Sequence, residues 1–113
     1  LPNGLHAGAL IGLMLWPQSV LGDEMTADRA RELTNLVRHD CGSCHGLTLQ
    51  GGLGRPITAE ALTGVDDATV GAIILDGLPG TAMPPWRGLI NDDEAAWIAD
   101  GLKQGRFQCS DSC

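Results

Sequence analysis

The chain contains no tyrosine, one phenylalanine and three tryptophans, so a core built mainly on aromatic side chains is excluded. Basic residues are equally scarce: seven Lys and Arg stand against fourteen Asp and Glu, a formal charge of −7. Nucleic-acid binding rests on clustered Lys and Arg at phosphates, and that balance excludes it. A protein partner is expected to offer a basic patch, and their encounter to slow as salt rises. Long hydrophobic runs are missing too. The run at residues 7–16 has ten residues, well short of the roughly 20 that span a bilayer. Neither an internal repeat nor a low-complexity tract is present. Gly46, Gly51, Gly52 and Gly54 do not form a phosphate-binding loop, because no Lys-Ser/Thr pair comes after them.

What is there begins with that short apolar run. Residues 7–16 suit the h-region of a signal peptide, with Val20 and Gly22 marking a cleavage point ahead of Asp23. Residues 1–22 then read as a signal peptide and 23–113 as one domain with its core at 26–104; retention as an anchor is the alternative. Both readings mean export, and no stable membrane span is expected.

Cysteine supplies the sharpest pattern. Cys41-Gly42-Ser43-Cys44-His45 has the C-x-x-C-H spacing of covalent c-type haem attachment. Two thiols three positions apart share one face of a helical turn, so each can add to a vinyl group on one haem edge while the next imidazole meets the iron. A zinc site needs two more ligands at finger-like spacing, and the next Cys is Cys109. A thioredoxin-like redox pair needs a strand-helix-strand setting that the pattern does not provide. Cys109 and Cys113 remain as an even pair, either a local disulfide in an oxidising compartment or two free thiols.

Three helices surround this motif. Thr26 caps a helix over residues 27–40, with Asp28 in its first turn. Its apolar stripe is Ala30, Leu33, Leu36 and Val37; Arg31, Glu32, Arg38 and His39 are left to water. Asp66 caps a second helix with Val70, Ile73 and Ile74 on one face and Gly77 as its stop. Asn91 and Glu94 form a capping-box pattern for the last helix, whose buried stripe is Ala95, Ile98 and Leu102 with Trp97 at the margin. Beyond Gly105 the chain reads as a short polar tail apart from Phe107 and the cysteine pair.

Two loops carry the remaining candidates. The glycine-rich loop ending at Arg55-Pro56 permits close backbone approach to a flat ligand, and a rigid carbonyl there would fix the His45 ring. Arg55 pairs with a haem propionate or stays solvated. The 77–86 loop holds three prolines and two glycines around Met83, the thioether available as sixth ligand, since Met14 and Met25 lie in or just after the leader. Trp86 packs against the haem edge with its N–H toward a propionate, or simply fills the core.

The order of these features resembles the class I monohaem cytochrome c fold over residues 26–104. Residues 36–46, then Gly51-Gly52-Leu53-Gly54 and Met83-Pro84-Pro85-Trp86-Arg87, are similar to the NirC-type cytochromes found with nitrite reductase in denitrifying bacteria. The resemblance implies an all-α fold of three to four helices around one covalent haem c. It implies a periplasmic electron-transfer protein rather than an enzyme, with redox protein partners: cytochrome cd1 nitrite reductase, or the proteins that mature its haem d1. Arg55 departs from the pattern, standing where many class I members have Gly before the Pro. A haem enzyme, a ligand-binding sensor and a carrier for another periplasmic dehydrogenase are the alternatives. The first needs acid–base groups beside an open sixth site, and only His6 and His39 are left as histidines.

Overall fold

The computed structural model describes residues 24–108 and, before them, residues 3, 4, 8, 12 and 14–17. The described residues are helical, without strands. Helix α1 spans Ala27–Leu36 and starts where the Thr26 hydroxyl accepts the Arg29 N–H at 3.1 Å. Its winding widens into a π turn over Val37–Cys41 and tightens again into α2, Gly42–His45. The helix expected to end at Asp40 therefore carries the whole cysteine motif. A π turn inserts residue length into the helix and rotates the next turn about the axis. Arg38 is consequently not left in water: it is half-buried and its Nε is enclosed without a protein partner among the described residues. His39 stays exposed.

Helix α3, Asp67–Asp76, is capped by the Asp66 carboxylate, which accepts the Thr69 N–H at 2.8 Å, and stops at Gly77 with φ +69°. Helix α4, Asp92–Lys103, begins with the reciprocal pair expected of Asn91 and Glu94, both bonds being 2.9 Å. These stops and starts are local chemistry: each cap satisfies a backbone N–H that the helix itself leaves unpaired.

Packing assembles the helices into one core. Helices α3 and α4 run antiparallel, their ends joined by Lys103–Asp67 at 2.8 Å and by Arg87, which reaches Asp76 at 2.8 Å and Asp92 at 3.1 Å. Such exposed pairs contribute little stability but hold the two helices in register. Helix α1 meets the start of α4 through Arg29, whose Nε lies 2.5 Å from Glu94 and whose Nη2 lies 3.3 Å from the Leu89 carbonyl. Beneath these contacts Leu33, Val37, Ala95, Ile98 and Leu102 are buried, as the apolar stripes anticipated.

Phe107 corrects the reading of the tail. It is 1% exposed, the largest of the fully buried side chains. Gly105, with φ +71°, turns the chain back at the end of α4: its N–H donates to Leu102 and that of Arg106 to Gly101. The ring then lies against Gly101, where an added Cβ would stand 2.5 Å from its edge. It meets Trp97 edge-on with centroids 5.5 Å apart. Core packing therefore continues past residue 104 to Phe107.

Candidate haem site

Cys41 closes the π turn, Cys44 comes one turn on, and His45 ends α2. Cys41 is half-buried and Cys44 exposed, and no disulfide joins them. Burial, with the Asp40 carboxylate next to it, pushes the Cys41 thiol up to about 11. Among the described residues no cluster of three or more His, Cys, Asp and Glu side chains could hold a metal ion.

Past His45 the chain folds back on its own helix end. Gly46, at φ +91°, breaks the winding, and the Gly54 and Gly51 amides donate to the Cys44 and His45 carbonyls, each at 2.7 Å. Carbonyls that a helix terminus leaves unpaired are thereby satisfied. The approach is close enough to require glycine: a Cβ on Gly54 would lie 3.0 Å from His45 Nδ1, and one on Gly46 would lie 2.6 Å from the Gly51 carbonyl oxygen. Leu49 takes the left-handed conformation at φ 61° and is 1% exposed, so its backbone strain is held in place by burial.

The result is a fixed imidazole. His45 Nδ1 lies 2.6 Å from the Arg55 carbonyl oxygen. A carbonyl only accepts, so Nδ1 carries a proton, and in the neutral ring the lone pair is then on Nε2. The carbonyl anticipated in this loop is thus that of Arg55, with Pro56 next to it and its ring against Gly51. The Arg55 side chain itself is exposed.

Met83 and Trp86 lie together on a second loop built on the end of α3. Gly77 N–H donates to Ile73 at 2.9 Å, and Trp86 N–H to Ile74 and Leu75 at 3.1 and 3.0 Å, so both loop ends are fastened to one helix. Met83 is half-buried, and Trp86, also half-buried, packs against the core. No backbone hydrogen bond among the described residues joins this loop to the Cys41–Pro56 unit. Cys109 and Cys113 lie outside the described residues.

Two thiols one helical turn apart and an imidazole with its free Nε2 are the donor set that covalent haem attachment requires. Sequence reasoning missed Leu49, the enclosed Arg38 and Thr81 of the Met83 loop. For Thr81 the available signal was a hydroxyl two positions before the candidate thioether.

Residues 28–100 match the model of the family described as cytochrome c oxidase, cbb3-type, subunit III. The chain is 56% identical over 94 residues to cytochrome c55X of Paracoccus denitrificans (strain Pd 1222), covering 83% of this chain and 90% of that one. Its structure is similar to that of the c-type cytochrome NirC, with a TM-score of 0.73 and 46% identity, across 74% of this chain and 99% of the other. It is also similar to part of the dihydro-heme d1 dehydrogenase NirN in complex with DHE, with a TM-score of 0.58 and 33% identity, covering 62% of this chain but 15% of that one.

Proposed function

The chain belongs to the c-type cytochromes, in the family described as cytochrome c oxidase, cbb3-type, subunit III, and carries a covalent haem c; on that premise we propose that it is a periplasmic one-electron carrier of nitrite reduction, its iron ligated by His45 and Met83. Its partner on this reading is cytochrome cd1 nitrite reductase or a protein of haem d1 maturation. The bound group supplies a one-electron iron couple. Cys41 and Cys44 anchor it. The Arg55 carbonyl orients the His45 ring, and its hold on Nδ1–H makes Nε2 a better donor. The Met83 thioether on the 77–86 loop would be the second protein donor to the iron, and an iron held by two protein donors would suit electron transfer rather than substrate binding.

The observation that carries the reading is the His45 Nδ1 to Arg55 contact, which fixes the tautomer that a ligating imidazole needs. Exposed Leu47 and Leu53, on the loop beyond Cys44, offer an apolar contact surface for brief encounters within an otherwise acidic chain. The export reading rests on the apolar run at residues 7–16, within which Met14, Leu15 and Trp16 are exposed. No helix among the described residues is long and apolar enough to cross a membrane. The likeness to NirN spans 15% of that protein and lends this chain no dehydrogenase activity.

Stopped-flow mixing of the reduced protein with cytochrome cd1 nitrite reductase tests the proposal. Haem reoxidation is expected to be fast at low ionic strength and to slow as salt rises. Reoxidation no faster than with an unrelated oxidant would remove nitrite reductase as partner.

A further inference from the structure

We propose that Thr81 is the positioning residue of Met83: its hydroxyl locks the 77–86 loop in the backbone shape that presents the thioether. The inference rests on the reading of Met83 as ligand. Thr81 Oγ1 donates to the Leu78 carbonyl at 2.7 Å and accepts the Met83 N–H at 3.2 Å. Leu78 N–H returns a bond to the Met83 carbonyl at 3.3 Å. Both backbone groups of Met83 are therefore held, one by the hydroxyl and one by Leu78, and the hydroxyl joins the two.

Few other groups in this loop are suited to the task. Pro79, Pro84 and Pro85 have no N–H to offer. Gly77 acts only by being small: a Cβ there would lie 2.6 Å from the Met83 carbonyl oxygen and 3.0 Å from Pro84 and Pro85 backbone atoms. It lets Met83–Pro85 settle onto the end of α3, and the Thr81 hydroxyl then ties the settled segment.

A lock of this kind matters because a thioether is a neutral ligand whose loop must be ordered to bind. An added ligand competes for the same iron position, and its apparent affinity rises in proportion to the fraction of molecules in which Met83 is detached. Loss of the hydroxyl removes both bonds while Thr81→Val keeps the branched shape. Both bonds are solvent-exposed, so together they count as about one typical hydrogen bond, and the detached fraction is expected to rise roughly three- to tenfold.

The experiment uses the full haem-loaded chain with Thr81→Val, Thr81→Ser and Met83→Ala in parallel. Imidazole binding to the ferric form is followed by haem absorbance, and exchange of the Met83 amide by NMR. Thr81→Val is expected to bind imidazole roughly three- to tenfold more tightly and to speed Met83 amide exchange by a similar factor. Thr81→Ser, which keeps the hydroxyl, is expected to behave as the parent. A parent-like Thr81→Val overturns the proposal, and so does Thr81→Ser matching Thr81→Val, because the hydroxyl would then not be the active group. Should Met83→Ala bind imidazole no more tightly than the parent, the ligand reading itself falls, a failure distinct from either Thr81 result.

Discussion

Shortening the chain to end at Gln104 removes Phe107, and the structure sets the size of the effect. The ring is 1% exposed and fills the slot above Gly101. Emptying such a site costs about 3–5 kcal/mol, the edge-on contact with Trp97 being part of that sum. Arg106 also leaves, with its 2.7 Å pair to Asp100 and its position 5.1 Å above the Trp97 ring. Both members of that pair are more than a third exposed, so their loss adds little. A net loss of about 4 kcal/mol is large against the roughly 5–15 kcal/mol that folded domains possess. In urea, at a slope of roughly 1–2 kcal/mol per molar, the unfolding midpoint should fall by about 2–4 M. The comparison is a chain ending at Gln108, which keeps every described core residue. Phe107→Ala in the longer chain should reproduce most of the loss. If the two shortened chains unfold within about 0.5 kcal/mol of each other, Phe107 is not a member of the core and the packing argument is wrong.

Further outcomes are expected at the site and its frame. Cys41→Ser or Cys44→Ser should reduce stable haem attachment, read as haem staining that survives denaturation. Gly54→Ala places a Cβ 3.0 Å from Nδ1 and 3.1 Å from Cε1 of His45, and should turn the ring away from the Arg55 carbonyl. Paramagnetic NMR shifts of the His45 ring check this; unchanged shifts would show that the loop yields instead. Arg29, hydrogen-bonded to Glu94, holds that carboxyl below its usual range. The folded-state pKa being the lower one, the pair stabilises the fold above the unfolded-state value of about 4.3 and loses its contribution as pH falls through the folded-state value. Glu94→Gln should therefore be less stable than the parent at neutral pH, with the difference shrinking below about pH 4 in urea titrations.

Much of the frame was legible because it is written in local chemistry. Thr26, Asp66 and the Asn91–Glu94 pair cap the helices they were expected to cap, and Gly77 stops the helix it was expected to stop. The haem motif was legible because its spacing is itself the geometry. Three features were not. Phe107 stands after what reads as a helix stop, and only the turn at Gly105 and the bare surface at Gly101 reveal that it comes back inside. Arg38 sits on the polar face of a regular helix, and the π turn that moves it has no side-chain signature. The His45 acceptor belongs to the main chain of Arg55, and which carbonyl in a loop points at a ring cannot be told from side-chain types.

The loop after His45 holds the imidazole with amides and carbonyls alone, while the Leu53 and Arg55 side chains face outward. Main chain and side chain are thereby given separate duties within the same few residues. The outer surface is free to be rewritten during evolution, exchanging leucine for a charge or arginine for a neutral group, without the His45 ring registering the change. A lineage adapting to a new redox mate would need to alter only what the mate touches.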